Sequence, residues 1–477
     1  EIPSHFIGSV VYIEKGFYHA SSIPQLFVID GQQRLTTISL LLHALGLAIK
    51  DQEIDSVITQ RKIENYYLFN SEEEGDFHHK LSLIKGDNQT LFKVLKGKEY
   101  PKKYSKQIVT NHNYFVNVIK SSKVNLDELF VAIKKLTIVD ISLDREKDHP
   151  QLIFESLNSK GLDLDEADLI RNYILMGQPD DLQKELYEDF WQLMEERFSD
   201  SEKKALQWYL RNFLTYKTGT IPIVGEIYHN FKDYRHHSDS SIEEIVSEIY
   251  KFSKYYTNFS LLHEEDKDLK DKFAAINTLK VTVSYPFLLR LYSDYDSDIL
   301  SKADFLSILD QIESYVFRRA VCDVPTNSLN NTFAFLYKRI DTENYVESVL
   351  GALQSEETYK RFPRDEEFKE KIQNKDLYNF NNRTYWLRKM ENIGRKKETV
   401  EIEDYTIEHI MPQNKNLSDE WREALGDNFE LIQEKYIHTL GNLTLTGYNS
   451  ELSDRPFLEK RDMEGGFADS PIRLNHD

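Results

Sequence analysis

The chain has 477 residues, which is too long for one ordinary domain and predicts about three at roughly 150 residues each. Asp and Glu number 80 against 60 Lys and Arg, and the net charge of −20 disfavours a protein that coats nucleic acid or an anionic membrane. Hydrophobic residues make up 40% of the chain, which excludes disorder for most of it. The single cysteine, Cys322, excludes a disulfide framework and a thiolate zinc site, and it indicates a reducing cytoplasm. No apolar run approaches the roughly 18 to 20 residues of a membrane span, so we expect no membrane partner.

Residues 1–177 combine short strands with helical patterns. Residues 6–13 and 26–29 are short, rich in β-branched residues and bounded by Gly or Pro, as strands are. Apolar residues at helical spacing follow residue 31 and predict a helix. Residues 136–143 predict a third strand. This alternation predicts an α/β or α+β domain over residues 1–177.

The remaining chain predicts a helical middle, residues 178–399, and a small β-containing end, residues 400–477. In the middle, Ser241 and Glu244 form a capping box before a helix, and residues 305–317 repeat the helical period. At the end, two short strands and then a helix are expected. The predicted fold class is therefore α+β and multidomain, mostly helical.

The strongest chemical signal is Glu408-His409, followed by Asn442, Asn449 and Lys460. Phosphodiester hydrolysis needs a base for water and a cation for the charge on the phosphorus centre. His409 next to Glu408 supplies a base and a hard oxygen ligand, and Mg²⁺ needs only one or two protein ligands. Two other interpretations stay open. His409 and the asparagines can be structural residues of a strand end and turns, or His409 and His438 can hold zinc, although cysteines and conventional spacing are missing.

The C-terminal pattern resembles a known nuclease module. It consists of EHIMPQ at residues 408–413, LGNLTLT at 440–446, then Asn449, Phe457 and Lys460-Arg461. This order is similar to the HNH (His-Me finger, ββα-metal) module at the C-terminus of GmrSD-type modification-dependent restriction endonucleases. The resemblance implies that His409 is the general base and that Glu408 and Asn449 are metal ligands. It also implies that Asn442 supports the loop and the base, and that Lys460 contacts phosphate.

A second signal is VIDGQQRLTT at residues 28–37, where a strand ends, Gly31 permits a sharp turn and a helix begins. Helix N-termini favour phosphate, Arg34 adds donors for phosphate oxygens, and Gln32 and Gln33 offer amides for a base or ribose. A plain strand–turn–helix with an exposed arginine is the alternative from the residues alone.

The DGQQR turn resembles the signature of the ParB/sulfiredoxin-like domain that forms the N-terminal half of GmrSD-type proteins. The resemblance extends to FESLNSKGL at residues 154–162 and DLIRN at 168–172. It implies that Asp30, Gly31, Gln32, Gln33 and Arg34 face a nucleoside triphosphate, with Asn158 nearby. Asp168 and Arg171 contribute to that site or simply pair with each other. The resemblance also leads us to expect an aromatic motif upstream of Glu1, and nucleotide hydrolysis depends on it.

The acidic end raises the question of where DNA binds, because residues 401–477 hold seven Lys or Arg against seventeen Asp or Glu. Residues 360–398 reverse this ratio, with twelve against seven, and interleave aromatic residues. Basic and aromatic side chains together hold phosphates and stack on bases. The expected contacts are Arg383, Arg388, Lys389 and Arg461, with Arg318-Arg319 as alternatives. An amphipathic helix with an outer basic face explains the same segment.

The sequence thus predicts an NTP-regulated DNA endonuclease that uses Mg²⁺ or Mn²⁺ and acts on modified foreign DNA in cytoplasmic restriction or anti-phage defence. The nucleotide is GTP, CTP, UTP or ATP, and the expected partners are DNA and a homodimer mate or another restriction subunit. Two alternatives stay open. One is a nucleotide-switched DNA-binding protein with an inactive nuclease module, and the other is an RNase-type toxin.

Overall fold

The structure is a computed structural model that describes residues 4–14, 23–52, 58–83, 85–102, 104–122, 124–143, 165–176, 178–202, 204–380, 383–394 and 405–476. The protein is mostly helical with few strands, as the predicted α+β class requires. Contacts divide the chain into two compact units, Glu1–Asp163 and Leu164–Asp477. The predicted division at residues 177 and 399 stays a prediction. Among the described residues, no helix combines the length and apolar character that a membrane span requires.

The first unit contains a three-stranded sheet of β1 (His5–Glu14), β2 (Leu26–Asp30) and β3 (Leu136–Leu143). The strand order is β2-β1-β3, and β1 runs antiparallel to β2 and parallel to β3. The three predicted strands are confirmed. The central strand β1 therefore lies beside the end of β2, where the predicted nucleotide turn begins.

The helices of the first unit pack around a long helix that begins directly after β2. They are α1 (Gln32–Gln52), α2 (Gln60–Ile63), α3 (Lys85–Leu95), α4 (Lys106–Ser121) and α5 (Leu126–Lys134). A buried histidine pair joins α1 to α4, with His43 Nδ1 2.9 Å from His112 Nε2. Burial and the neighbouring His112 lower the pKa of His43 to about 4.

The second unit is built mainly from helices that share one large core. They are α6 (Glu166–Leu175), α7 (Asp180–Glu185), α8 (Gln192–Phe198), α9 (Ala205–Thr218), α10 (Ile227–His236), α11 (Ile242–Ser260), α12 (Lys267–Thr278), α13 (Tyr285–Asp296), α14 (Lys302–Val321), α15 (Leu329–Leu336), α16 (Tyr345–Gln354), α17 (Asp365–Asn374) and α18 (Arg383–Asn392). The predicted capping box of α11 is confirmed, since Glu244 N donates to Ser241 Oγ and Ser241 N to the Glu244 carboxylate. The helix predicted over 305–317 lies within α14.

A two-stranded antiparallel hairpin of β4 (Thr406–His409) and β5 (Leu443–Thr446) carries the C-terminal motif. Ile407, Leu443 and Leu445 belong to the large core, which anchors the hairpin to the helices. The predicted order of two strands and then a helix is confirmed. Two further helices, α19 (Asp419–Leu425) and α20 (Phe429–Tyr436), connect the strands, and α21 (Asn449–Leu452) and α22 (Phe457–Asp462) follow β5.

A short 3-10 turn near the end of the chain, Arg473–Asn475, makes hydrogen bonds both to α18 and to β5. The fully buried carboxylate of Glu391 in α18 accepts hydrogen bonds from the backbone N–H groups of Arg473 and Leu474, each at 3.0 Å. Asn475 accepts a hydrogen bond from the Thr444 hydroxyl and donates one to the Leu445 carbonyl. Residues 473–475 therefore brace the outer edge of the hairpin.

Candidate active site

The hairpin places the predicted base and the predicted metal ligand in different surroundings. His409 is the last residue of β4, and both His409 and Glu408 are buried. Glu408 pairs across the ladder with Thr444, and His409 pairs with Leu443. Because successive side chains of a strand point to opposite faces, the carboxylate and the imidazole meet different neighbours.

Both ring nitrogens of His409 have a side-chain partner. Gln413 Nε2 lies 2.9 Å from His409 Nδ1, and His438 Nδ1 lies 3.1 Å from His409 Nε2. Burial lowers the pKa of His409 to about 4, with further lowering from His438 and Lys460. The imidazole is therefore neutral at neutral pH and able to accept a proton, as a general base must.

Tyr378 packs against this histidine pair from the segment between α17 and α18. Its ring centroid lies 4.5 Å from that of His409, and it stacks on His438 at 5.2 Å with an interplanar angle of 12°. The neighbouring Leu377 N–H donates to the His438 carbonyl at 2.8 Å. Residues 377–378 therefore hold the imidazole partner of His409 by both its backbone and its ring.

Glu408 and Lys460 form a buried ion pair. Lys460 Nζ lies 2.6 Å from Glu408 Oε1 and also donates to the His409 carbonyl at 2.9 Å. The Lys460 side chain is 0% exposed and that of Glu408 is 4% exposed. Burial raises the pKa of the Glu408 carboxyl above its ordinary value, although Lys460 acts in the opposite direction. Lys460 was predicted to contact phosphate, but as folded it reaches Glu408 rather than the surface.

Asn442 fastens the loop that follows His409. Its Oδ1 accepts from Met411 N at 2.7 Å, and its Nδ2 donates to the carbonyls of Met411 at 3.0 Å and Ile437 at 2.9 Å. One buried amide thus makes three hydrogen bonds and fixes both the exit of β4 and the end of α20. The geometry positions His409 indirectly, through the backbone.

The side chains that were predicted to hold a metal ion do not fit a hydrated Mg²⁺ as folded. Mg²⁺ takes oxygen ligands and keeps several waters, whereas Glu408 is closed to water and engaged with Lys460. Asn449 donates to the Ile407 carbonyl at 2.8 Å, at the start of β4. Ion binding at this position would require Glu408 to release Lys460.

The zinc interpretation finds no support in the geometry. Among the residues that the structure describes, His, Cys, Asp and Glu form no group of three or more that could hold a metal. His409 and His438 instead face each other at hydrogen-bond distance. Two imidazoles that share a proton do not leave both lone pairs for an ion.

The predicted nucleotide turn lies between β2 and α1. Gly31 has φ +99°, and a Cβ there would lie 2.9 Å from Val10 Cγ2, so only glycine fits. Arg34 donates to the Ser9 carbonyl, and its Nη2 lies 3.4 Å from Asp30 Oδ2. The guanidinium is therefore held against the sheet and still 34% exposed.

The two glutamines of this turn are exposed at the start of α1. Gln32 Nε2 donates to the Val28 carbonyl at 2.8 Å, which caps the end of β2, and Gln33 is exposed to solvent. Asn158 and the rest of the FESLNSKGL segment lie outside the described residues.

Asp168 and Arg171 of the second motif pair with each other. Arg171 Nη2 lies 3.0 Å from Asp168, and its Nη1 lies 2.7 Å from Glu195 of α8. Trp191 Nε1 donates to the same Glu195 carboxylate at 3.0 Å. Of the two interpretations left open by the sequence, the pairing is the one that this geometry favours.

Two family models match the chain, one over the part that holds the N-terminal turn and one over the part that holds the C-terminal hairpin. The first, described as the N-terminal domain of the GmrSD restriction endonuclease, matches residues 2–175. The second, described as the C-terminal domain of GmrSD restriction endonucleases, matches residues 362–477, and the two matches together span more than half of the chain. The chain belongs to the GmrSD restriction endonucleases. Membership makes it a DNA endonuclease of a restriction system. No curated protein matches the chain.

The basic residues expected to contact DNA in this GmrSD endonuclease differ in exposure and in whether another side chain already binds them. Arg383 is exposed and lies over the Tyr378 ring at 5.4 Å. Lys389 forms an ion pair with Glu313. Arg388 is half-buried, and its Nε has no hydrogen-bond partner within the described part of the chain. Arg383 is therefore the most available of the three, and it lies next to the ring that covers His409.

The other expected contacts are divided between surface and interior. Arg461 is half-exposed and binds Asp462 at 2.6 Å. Arg318 forms an ion pair with Asp365, whereas Arg319 is 1% exposed. Arg319 donates to the backbone carbonyls of residues 325, 359 and 361, so its role is structural. DNA contact by the exposed arginines stays a prediction.

The aromatic residues of the basic segment serve mainly as core. Tyr385 and Trp386 are 7% and 3% exposed and belong to the large core, so they are not available to stack on bases. The alternative of an amphipathic helix with an outer basic face fits α18.

Sequence reasoning did not assign the observed roles of four residues around the two sites. Tyr378, Gln413 and His438 surround His409; the sequence offered His438 only as a zinc ligand and Gln413 only as part of the motif at 408–413, and no local pattern predicts their contacts with the His409 ring. Gly8 has φ +111°, and a Cβ there would lie 3.0 Å from Arg34 Nε, so glycine lets Arg34 lie on β1. A glycine inside a strand pattern was the available signal, because it marks a bulge or a close approach.

Proposed function

We propose that this GmrSD endonuclease hydrolyses DNA phosphodiester bonds in a C-terminal HNH (His-Me finger) module with His409 as the general base. The observation that carries the proposal is a buried histidine, His409, at the end of a two-stranded hairpin that short helices follow. Asn442 supports it by fixing the loop after β4. The module corresponds to residues 400–477, and the predicted helical middle corresponds to 178–399.

The proposed chemistry uses the two nitrogens of His409 differently. Gln413 gives way to the attacking water, which passes a proton to Nδ1 while its oxygen forms a bond to phosphorus. The bond from phosphorus to the leaving oxygen breaks, and solvent supplies the proton for that oxygen. The negative phosphate beside the ring raises the proton affinity of a base whose resting pKa is about 4.

The finer features of the proposal come from the family resemblance. The N-terminal ParB-like domain, residues 1–177, binds a nucleoside triphosphate at Asp30, Gly31, Gln32, Gln33 and Arg34 and gates cleavage of modified DNA. Glu408 and Asn449 would hold Mg²⁺ or Mn²⁺, which would offset negative charge on the phosphate, only if Lys460 moved away, since the resting side chains do not fit the ion. A second copy of the chain or another restriction subunit completes the assembly.

The test is cleavage by the full chain of plain and modified plasmid DNA, with Mg²⁺ or Mn²⁺ and each NTP. His409→Ala is expected to lower the single-turnover rate constant by about 10²–10⁴-fold, because a positioned base contributes that much. His236→Ala, at an exposed histidine of α10, is the matched control and keeps the wild-type rate. Wild-type cutting by His409→Ala would refute the proposed base.

The buried Glu408–Lys460 pair favours one alternative specifically, a nucleotide-switched DNA-binding protein whose nuclease module is inactive. Binding without cutting under every condition would support it. Cutting of RNA but not DNA would support the RNase interpretation. Arg34→Ala separates the roles at the N-terminal turn, because loss of nucleotide binding with unchanged DNA binding assigns Arg34 to the nucleotide.

A further inference from the structure

His438 contacts His409 in two ways. It lies at hydrogen-bond distance from the His409 ring, and both rings pack against the same aromatic side chain. Its Nδ1 lies 3.1 Å from His409 Nε2, and both rings contact Tyr378. We propose that His438 is a positioning residue that fixes the tautomer and ring orientation of His409, an inference that rests on the proposed function. His438 touches neither water nor phosphate in this role, and it acts through His409.

The assignment follows from a count of protons along the chain of side chains. The Gln413 amide nitrogen can only donate, so His409 Nδ1 must accept from it. A neutral imidazole carries one proton, which must then lie on His409 Nε2. His438 Nδ1 consequently accepts, and the proton of His438 lies on its Nε2. With the amide nitrogen of Gln413 facing His409, each donor meets an acceptor in only one arrangement of tautomers.

This arrangement places the proton-accepting nitrogen of His409 where the chemistry needs it. With Nε2–H engaged by His438, Nδ1 is the free base once water replaces Gln413. His438 keeps its acceptor on Nε2–H while Nδ1 takes the proton, so the ring holds its orientation during the transfer.

His438 is itself held in place more firmly than a surface histidine. Leu377 donates to its carbonyl, and Tyr378 stacks on its ring at an interplanar angle of 12°. Arg383 lies over Tyr378 at 5.4 Å and completes the layer. The orienting group therefore belongs to a packed stack, as a residue that positions a base must.

Three variants of the full chain separate positioning from mere packing. His438→Leu keeps an apolar body but removes the acceptor, and His438→Asn returns an acceptor oxygen near the position of Nδ1. His236→Asn, at an exposed histidine, is the matched control. We expect His438→Leu to lower the single-turnover cleavage rate constant about 100-fold with DNA affinity unchanged within about twofold, and His438→Asn to recover at least tenfold of that loss.

A second measurement does not depend on cleavage. Spectra of ¹⁵N-histidine-labelled protein report which ring nitrogen of His409 carries the proton, and the His409→Ala spectrum assigns the signals. The Nε2–H form is expected in the wild type and in His438→Asn, and a mixture of both tautomers in His438→Leu. Circular dichroism confirms that each variant is folded.

The outcomes are decisive in both directions. Wild-type cleavage by His438→Leu overturns the positioning role, and so does an Asn variant as impaired as the Leu variant. An unchanged His409 tautomer in His438→Leu overturns it too, even in a protein that never cuts DNA. Cleavage that survives in His409→Ala instead refutes the proposed function, and the tautomer spectra then still decide the His438 proposal.

Discussion

Replacing Lys460 by Met is expected to destabilise the hairpin that carries His409. The ammonium group lies 2.6 Å from Glu408 Oε1 and 2.9 Å from the His409 carbonyl, and it is fully buried. Its removal leaves a carboxylate without a counter-ion in a dry environment. Breaking a buried pair in this way costs about 3–5 kcal/mol. At about 1.4 kcal/mol for each factor of ten, local opening becomes at least about a hundredfold more frequent.

The assay is hydrogen–deuterium exchange of peptides that cover residues 405–412 and 440–448, because the two units of the chain need not unfold together. Lys415→Met, at an exposed lysine in the segment that follows β4, is the control and is expected to stay within about 0.5 kcal/mol of wild type. Glu408→Leu combined with Lys460→Met removes both charges and is expected to recover most of the loss.

The pH dependence gives a second check, and its sign follows from Glu408. Burial raises the pKa of the Glu408 carboxyl in the folded protein, so this group favours folding below its ordinary pKa and loses that contribution as pH rises. Without Lys460 the pKa rises further. The deficit of Lys460→Met is therefore largest at neutral pH and shrinks on acidification. Exchange equal to that of Lys415→Met, or a deficit independent of pH, would refute the buried pair.

Three further predictions concern other parts of the fold. Gly31→Ala is expected to lower the free energy of unfolding by about 1–3 kcal/mol and to weaken nucleotide binding in titrations, because φ is +99° and Val10 blocks a Cβ. The control, Gly75→Ala, has φ +63° and open space for a Cβ, and it is expected to lower the free energy of unfolding by only about 1–2 kcal/mol. His43 has its pKa lowered to about 4, so the first unit loses stability as pH falls from 6.5 towards 4. His43→Phe reduces this slope in urea titrations, and the lowered pKa of the buried His112 accounts for the part that stays. Glu391→Gln leaves one backbone N–H without a carboxylate oxygen and is expected to cost about 1.5–3 kcal/mol, read as faster exchange of residues 470–476; unchanged exchange would contradict the brace.

The local sequence pattern was enough to predict those strands and helix ends whose own residues indicate the structure. Residues 136–143 are rich in β-branched residues and form a strand with those bounds, and Ser241 with Glu244 caps α11 as predicted. The short helices α19 and α20 were not predicted, because seven and eight residues give too few turns for a period.

Partners that are distant in sequence could not be predicted in the same way. His438 is 29 positions from His409, and Lys460 is 52 positions from Glu408. A family pattern indicates that such residues belong to one site, but it does not say which of them touch. Lys460 therefore looked like a phosphate contact, and Tyr385 and Trp386 looked like a stacking surface, until tertiary packing placed all three in the interior.

The brace at residues 473–475 joins parts of the chain that are synthesised at different times. Asn475 accepts a hydrogen bond from Thr444, which precedes it by 31 positions in the sequence. The backbone N–H groups that donate to Glu391 lie more than eighty positions after it. Domains fold in order as the chain emerges, N-terminal parts first. The hairpin of His409 consequently stays without its outer support until residue 475 has been added. The hairpin that carries the proposed base therefore gains its full set of hydrogen bonds only after the helices that precede it have emerged.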